Sequence, residues 1–115
     1  MHELAICQSL IQQVEKIAFE NHAGSVEKIE LIIGALSGVE GPLLDRAFGI
    51  ARMGTVAQGA ELKIEIGPVV VECRICGNRN EVAVNRLLCD ACGDWQVNVK
   101  QGDEMLLKSV ELTKL

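Results

Sequence analysis

The sequence predicts an α/β fold in which two helices pack on a small three-stranded sheet, with a small cysteine-rich domain inserted before the last strand. Three observations predict it: two stretches with apolar residues at helical spacing, three stretches of alternating apolar and polar residues, and one block containing four of the five cysteines. With 115 residues, 49% of them hydrophobic, the chain can form one packed unit with a small insert.

The first helix is expected to begin near residue 3 and to stop at Gly24, which suits the position after a helix end. Its apolar residues recur at helical spacing at Leu4, Cys7, Leu10, Ile11, Val14, Ile17 and Ala18. The second helix is expected to begin at Pro42, which favours a first helical position. Its apolar residues are Leu43, Leu44, Ala47, Ile50 and Ala51.

Three strands follow from alternation. Their inward residues are expected to be Ile29, Leu31 and Ile33, then Leu62, Ile64 and Ile66, then Leu106, Val110 and Leu112. The last two strands are candidates for an antiparallel hairpin whose turn is replaced by the insert. The predicted domains are therefore an α/β domain of residues 1–67 plus 98–115 and an inserted domain of residues 68–97.

The insert has a C-x2-C-x12-C-x2-C pattern formed by Cys73, Cys76, Cys89 and Cys92. Gly77 and Gly93 follow the two pairs, where a tight turn needs a positive φ angle. Two such turns direct four thiolates at one point, the tetrahedral arrangement that zinc prefers, so the insert is predicted to be a zinc ribbon. A closed four-thiolate site favours a structural role, with metal binding of about 10–16 kcal/mol stabilising a segment too short to fold alone.

Two other interpretations of the cysteines compete with the zinc site. A redox dithiol needs only one cysteine pair in a thioredoxin-like sequence context, and that context is absent. An iron–sulfur cluster would use the same four thiolates, and the sequence does not exclude it. The fifth cysteine, Cys7, lies on the apolar face of the first helix and is expected to be a small buried residue.

Composition excludes several classes of function. The net charge of −5 and the 3% aromatic content disfavour nucleic-acid binding. The sequence has neither a signal-peptide pattern nor an apolar run long enough for a membrane span, so we expect a cytoplasmic protein without a membrane partner. No nucleophile–base pair, phosphate-binding loop or HExxH motif points to an enzyme.

The chain begins Met-His-Glu, which offers nitrogen ligands to a transition metal. The Met1 amine, the His2 amide nitrogen and the His2 imidazole form fused chelate rings, a set that Ni(II) and Cu(II) favour. Because a helix N-terminus disfavours a cation, anionic ligands are needed, and Glu3 and Glu40 are the candidates. The simpler alternative is an exposed His2 and a Glu3 that only stabilises the first helical turn.

The motifs MHE, LIIGALSGVE, the spaced cysteines and QGDEMLLKSVEL occur in an order that resembles the HypA/HybF family of hydrogenase maturation nickel metallochaperones. The resemblance covers essentially the whole chain. It implies nickel ligands at His2 and Glu3 with help from Met1, and a further ligand at Glu40. It also implies a structural zinc held by Cys73, Cys76, Cys89 and Cys92.

The resemblance also implies a function in which Ni(II) is transferred and no reaction is catalysed. Its expected partners are the GTPase HypB and the large subunit of [NiFe] hydrogenase, and some members of the family also serve urease. The alternative is a zinc-ribbon adaptor that binds proteins and carries no nickel. Both a monomer and a homodimer are compatible with the sequence, and His22 is explained by a position near the end of the first helix.

Overall fold

The computed structural model describes residues 2–114, which form two helices and six strands. The helices are α1 (His2–Glu20) and α2 (Gly41–Ala51). The strands are β1 (Ala23–Gly34), β2 (Glu61–Gly67), β3 (Val69–Cys73), β4 (Arg79–Val82), β5 (Val97–Gln101) and β6 (Met105–Lys114). They make two three-stranded sheets, with strand orders β2-β1-β6 and β4-β3-β5. Neither helix within residues 2–114 is long and apolar enough to cross a membrane.

The chain divides into two compact units. Among the described residues, the first unit contains 2–31, 39–64 and 107–114, and the second contains 32–38 and 65–106. The helices and most of the β2-β1-β6 sheet belong to the first unit, and the β4-β3-β5 sheet belongs to the second. The two helices, the small sheet and the cysteine-rich insert confirm the predicted fold class. The predicted domain boundaries, 1–67 plus 98–115 and 68–97, stay a prediction.

Helix α1 buries the apolar stripe that its sequence predicts. The buried positions are Cys7, Leu10, Ile11, Val14 and Ala18. The predicted stop at Gly24 is wrong, because the helix ends at Glu20 and Gly24 lies in β1. The side-chain amide of Asn21 donates to the Ile17 carbonyl at 2.8 Å, and His22 turns the chain with a φ of 54°. The side chain of Asn21 and the left-handed backbone conformation of His22 thus end the helix, in place of the expected glycine.

Helix α2 begins at Gly41, with Pro42 in its first turn as predicted. Its buried residues are Leu44, Ala47 and Phe48. The predicted inward positions Leu43 and Ile50 are exposed. The helix is rotated from the expected orientation because Phe48, the largest apolar side chain on it, packs into the core and is screened there from water.

Strand β1 is the middle strand of its sheet, between β2 and β6. The proposed hairpin between the last two strands is therefore wrong, since β2 and β6 do not pair with each other. The physical reason is the burial of β1. Its residues Ile29, Leu31 and Ile33 are fully buried, and the central position, with a neighbouring strand on each edge, allows this. At the end of β2, Ile66 is 63% exposed instead of facing inward.

In the second unit, β3 pairs antiparallel with β4 on one side and with β5 on the other. Val69 and Val71 are buried on one face of this sheet, while Glu72 opposes both Arg79 and Asn98 on the other. Close backbone contacts join the end of β1 to the turn between β5 and β6. The Gly34 amide donates to the Glu104 carbonyl at 2.8 Å, and the Leu36 amide donates to the Gly102 carbonyl at 2.7 Å. Gly102 has a φ of 119°, and a Cβ there would lie 2.8 Å from the Val69 Cα, so only glycine fits.

Candidate functional site

The second unit gathers four sulfur atoms into one cluster. The Sγ atoms of Cys73, Cys76, Cys89 and Cys92 all lie within 4.8 Å of one another. Cys73 and Cys92 are separated by 3.6 Å between sulfurs, and Cys76 and Cys89 by 3.5 Å. These separations are too long for disulfides. They are close to the roughly 3.8 Å edge of a tetrahedron of thiolates around one ion at about 2.3 Å, so the donor set fits a zinc-sized ion.

Two turns with the same hydrogen-bond pattern position the sulfurs. In the first, the Cys73 amide donates to the Asn78 carbonyl at 2.9 Å and the Gly77 amide donates to the Cys73 carbonyl at 3.0 Å. In the second, the equivalent bonds run from Cys89 to Asp94 at 3.0 Å and from Gly93 to Cys89 at 2.9 Å. Gly77 and Gly93 have φ angles of 77° and 75°. The positive φ angles predicted for these two glycines are confirmed.

Backbone amides stabilise the thiolate form of the first sulfur in each turn. The Cys76 amide donates to the Cys73 Sγ at 3.4 Å and lowers the pKa of that thiol. The Cys92 amide donates to the Cys89 Sγ at 3.5 Å and, as the largest cause, lowers the pKa of Cys89 to about 6. Thiolates are the species that bind a metal, so these two positions are prepared for ligation before an ion arrives.

The second sulfur in each turn shares a proton with its neighbours. The amide of Asp94 lowers the pKa of Cys92, but hydrogen bonds to the thiols of Cys73 and Cys89, together with burial, outweigh it and raise the pKa to about 12. The pKa of Cys76 is likewise raised, because its bond to the Cys89 thiol and burial outweigh the amide of Asn78. A cation among the four sulfurs would replace these shared protons.

Asn78 is a residue of this cluster whose role the sequence did not predict. Its side-chain amide donates to a carboxylate oxygen of Asp90 at 2.6 Å and reaches the Cys89 Sγ at 3.9 Å. It thereby links the turn that carries Cys76 to the turn that carries Cys89. A polar residue two positions after the first cysteine pair is the only sequence signal, and it does not reveal a contact twelve positions away.

The start of α1 presents the other predicted ligands. Met1 lies outside the described residues. The His2 side chain is exposed, and its Nε2 lies 3.0 Å from a carboxylate oxygen of Glu3. Glu3 is 9% exposed and is the buried charged residue of the described core. The two side chains are therefore brought together, and the bond at Nε2 leaves the His2 Nδ1 directed elsewhere.

The buried thiol of Cys7 is near enough to Glu3 to be affected by its charge. Cys7 is fully buried, as expected, and its Sγ donates to the Leu44 carbonyl at 3.4 Å. Burial, followed by the charges of Asp45 and Glu3, raises the pKa of Cys7 to about 11. This thiol stays neutral at physiological pH, so Cys7 acts as a packed apolar residue and not as a metal ligand.

Glu40 precedes α2 and is exposed at its N-cap position, with a φ of −93°. Its side chain makes no capping hydrogen bond. The first turn of α1 and one face of α2 line a cavity of about 240 Å3, bounded by Glu3, Leu4, Leu43, Arg46, Ala47 and Ile50. Glu40 lies one residue before the helix that contributes four of these residues.

Residues 1–112 match the model of a family described as "HypA: Hydrogenase/urease nickel incorporation, metallochaperone". A hydrogenase maturation factor HypA of Nitrosospira multiformis is 48% identical over 112 residues, which are 97% of each chain. The protein of the same name from Aquifex aeolicus is 45% identical over the same share of each chain.

Solved structures show the same fold. The solution structure of the Ni metallochaperone HypA from Helicobacter pylori covers 98% of each chain with a TM-score of 0.79 and 30% identity. A second solution structure, of a HypA protein, gives a TM-score of 0.77 at 32% identity and covers 97% of this chain and 96% of the other. Agreement over nearly the full length of both chains extends to the helices and to the cysteine-rich insert.

Proposed function

The chain belongs to the HypA family of nickel-incorporation metallochaperones, and from that premise we propose that it binds Ni(II) at the start of α1 and delivers it for [NiFe] hydrogenase maturation. Proteins of this family are metallochaperones and maturation factors, not enzymes. The observation that carries the proposal is the exposed His2 imidazole held beside the buried carboxylate of Glu3.

The proposed ligand set combines the chain start with two carboxylates. The amine of Met1, the amide nitrogen of His2 and the Nδ1 of its ring close fused chelate rings around the ion. The bond from His2 Nε2 to Glu3 supports this assignment, because it fixes the ring and leaves Nδ1 for the metal. Glu3 and Glu40 supply negative charge that offsets the positive end of the helix dipole.

Transfer is proposed to proceed by stepwise ligand exchange. The imidazole of His2 is exposed, so an acceptor can approach the ion and replace one donor at a time. Nickel then passes between proteins without being released to water. The same nitrogen set binds Cu(II) more tightly than Ni(II), so selectivity depends on metal supply and on the partner.

We propose that Cys73, Cys76, Cys89 and Cys92 hold a structural zinc. Sulfurs that lie within 4.8 Å of one another favour one tetrahedral ion, since an iron–sulfur cluster would place thiolates on different irons and farther apart. Four thiolates leave no open position for a substrate. The ion supplies stability to the β4-β3-β5 unit, and its ligands are thiolates prepared by backbone amides.

The proposed partners follow from the family and from the names of its relatives. The GTPase HypB and the large subunit of [NiFe] hydrogenase are the proposed partners, and urease is a second target that the family description names. We propose a cytoplasmic location for the protein, as a monomer or a homodimer.

The experiment is nickel calorimetry on zinc-loaded protein that begins at Met1. His2→Ala should lower nickel affinity at least about a hundredfold, because it removes the imidazole and the ring it closes. His22→Ala is the matched control, since His22 is the other histidine and lies beyond the end of α1. Zinc content and helical circular dichroism should be unchanged in both variants.

Two further variants sharpen this test. Residues added before Met1 convert its amine into an amide and should weaken nickel binding as strongly as His2→Ala. Glu40→Gln should weaken it only a few-fold, because it removes one charge at an exposed position. Unchanged nickel affinity in both the His2→Ala and the extended proteins would contradict the proposed site.

A further inference from the structure

The four cysteines of the cluster differ in their exposure. Cys76 and Cys92, the second cysteine of each turn, are exposed. Cys73 and Cys89, the first of each turn, are only 3% and 2% exposed. An oxidant in solution therefore meets Cys76 and Cys92 first. A thiolate that is exposed and lies beside a second sulfur oxidises reversibly, because its neighbour converts the resulting sulfenic acid into a disulfide.

Each exposed cysteine lies beside a buried cysteine of the other turn. The Sγ atoms of Cys92 and Cys73 are 3.6 Å apart. Those of Cys76 and Cys89 are 3.5 Å apart. A disulfide needs about 2.05 Å between its two sulfurs, so each pair must close by about 1.5 Å. Small rotations of two cysteine side chains supply a movement of this size.

Contacts that involve no sulfur hold the two turns next to each other. The side-chain amide of Asn78, beside the first turn, donates to Asp90 in the second turn at 2.6 Å. Cys73 lies opposite Val97 in the ladder between β3 and β5, so strand pairing places the first turn beside the segment that follows the second cysteine pair. These contacts keep the turns adjacent while a disulfide replaces the ion.

We propose that the cluster is a site of reversible oxidation by hydrogen peroxide, at which disulfides form between the two turns and the bound zinc is released. The proposed pairs are Cys73 with Cys92 and Cys76 with Cys89. The sequence alone favours the other pairing, because a C-x2-C motif in redox proteins closes its own disulfide. The release of zinc rests on the proposed zinc site, whereas the pairing rests on the positions of the sulfurs.

Each pair is oxidised in two steps. In the first step the thiolate of Cys92 attacks one oxygen of the peroxide. An S–O bond forms, the O–O bond breaks, and hydroxide leaves, so that Cys92 becomes a sulfenic acid. In the second step the thiolate of Cys73 attacks that sulfur, the S–S bond forms, the S–O bond breaks and a second hydroxide leaves. The two sulfurs give two electrons to the peroxide, and solvent protons convert both hydroxides into water.

A second peroxide oxidises Cys76 and Cys89 by the same two steps. The sulfurs of a disulfide carry no negative charge, and the thiolate is the form that binds the metal. Each disulfide therefore removes two of the four zinc ligands, and the ion leaves. Disulfides in reducing compartments are typically transient, so the oxidised form is expected to be returned to thiols by a reductant.

Pairing between the turns affects the β4-β3-β5 unit differently from pairing within a turn. Disulfides between the turns close the stretch of chain that the zinc ion otherwise closes, so they keep the turns connected after the ion has left. Disulfides within a turn join cysteines three positions apart and leave the two turns unconnected. The oxidised unit is therefore expected to stay folded and to take up zinc again after reduction.

The test treats full-length, zinc-loaded protein with hydrogen peroxide and maps its disulfides by mass spectrometry. Remaining thiols are blocked before digestion, so that disulfides do not exchange. Trypsin and endoproteinase Asp-N together place each of the four cysteines in a separate peptide, namely 64–74, 75–79, 87–89 and 90–93. Peptide 64–74 should be joined to 90–93, and peptide 75–79 to 87–89. A chromophoric chelator should detect release of the zinc, and a thiol reductant should reverse both changes.

Trapping with dimedone identifies the sulfur that the peroxide attacks. With less than one equivalent of peroxide, the adduct should form on Cys76 and Cys92 at least about tenfold more often than on the buried pair, because access limits the first step. Cys7→Ala is the matched control, since Cys7 is fully buried in the other unit. It should give the same disulfides and the same release of zinc as the parent protein.

Four results would overturn the proposal. The first is a main product with pairing within a turn, in which 64–74 is joined to 75–79. The second is the exchanged pairing between turns, in which 64–74 is joined to 87–89. The third is retention of zinc and free thiols at a peroxide concentration that oxidises free cysteine, and the fourth is a dimedone adduct mainly on Cys73 or Cys89. Zinc content before oxidation tests the zinc site, and the disulfide map tests the pairing, so failures of the two are distinguishable.

Discussion

The cysteine cluster and the start of α1 differ in how strongly the fold holds their side chains. Four sulfurs are fixed by two turns with matching hydrogen bonds, and Cys73 and Cys89 are almost completely buried. His2, in contrast, is exposed and is oriented mainly by its neighbour Glu3. The difference teaches that retention needs ligands fixed by the backbone, even though Cys76 and Cys92 are exposed, whereas release needs ligands that an incoming molecule can reach and displace.

The cysteines of the two units also differ, in the pKa of their thiols. Backbone amides lower the pKa of Cys73 and Cys89, while burial in an apolar core, with Asp45 and Glu3 nearby, raises the pKa of Cys7 to about 11. The same side chain is thus a proposed metal ligand in one unit and a packing residue in the other. Its surroundings decide which, because amide donors stabilise a thiolate and apolar neighbours destabilise it.

The largest effect is expected from Cys89→Ser. Loss of one thiolate removes most of the roughly 10–16 kcal/mol that a four-thiolate zinc site contributes, so the β4-β3-β5 unit should unfold while α1 and α2 stay helical. Zinc content and amide hydrogen exchange at Val71 report the loss. Trp95 emission is a weaker reporter, because Trp95 is already exposed. Cys7→Ala is the control and should keep its zinc; full zinc occupancy in Cys89→Ser would contradict the assignment.

A smaller effect is expected from Asn78→Ala. The variant removes the side-chain bond to Asp90 and the contact with the Cys89 sulfur, and such supporting bonds typically change metal affinity about 10–100-fold. We expect a loss near tenfold, because the sulfur contact is long. Competition with a chromophoric zinc chelator measures it. Asn98→Ala, whose side chain contacts Arg74 and no sulfur, should leave the zinc affinity unchanged.

The smallest effect is the pH dependence contributed by Cys7. Its folded pKa of about 11 lies above its unfolded value of about 9, so between these values the unfolded chain loses a proton that the folded chain keeps. Stability contributed by the neutral thiol is therefore full below pH 9 and falls as the pH rises to 11. At about 1.4 kcal/mol per pKa unit, this shift corresponds to a loss of at most about 3 kcal/mol. Urea unfolding of the parent protein and of Cys7→Ala between pH 9 and pH 11 measures this loss. If the free energy of unfolding changed with pH in the same way in both proteins, the prediction would be contradicted.

Much of the fold was predictable because its signals are local. The stripe along α1 and the position of Pro42 follow from residues within a few turns of each other, and both were correct. The cysteine spacing with Gly77 and Gly93 specified the two turns, since only a positive φ closes them. The motifs that resembled the HypA/HybF family were confirmed by a family match over residues 1–112.

Other features escaped prediction because they depend on packing between distant residues. The position of β1 between β2 and β6 depends on the burial of Ile29 and Leu31. The alternation of apolar and polar residues does not by itself give the order of strands in a sheet. The rotation of α2 that buries Phe48 and exposes Ile50 is decided by the core it meets. The helix end at Glu20 is decided by Asn21 and His22, which take the place of the expected glycine.

By itself the sequence determined the element types, the four-cysteine pattern and the family. Periodicity and spacing are properties of neighbouring residues, so they can be read without a structure. Only the tertiary structure decided that Glu3 is buried beside an exposed His2, that Asn78 reaches Cys89, and that Arg79 and Lys100 meet at Glu72. These depend on which segments the fold brings within a few ångströms, and such contacts are settled by the packing of the whole unit.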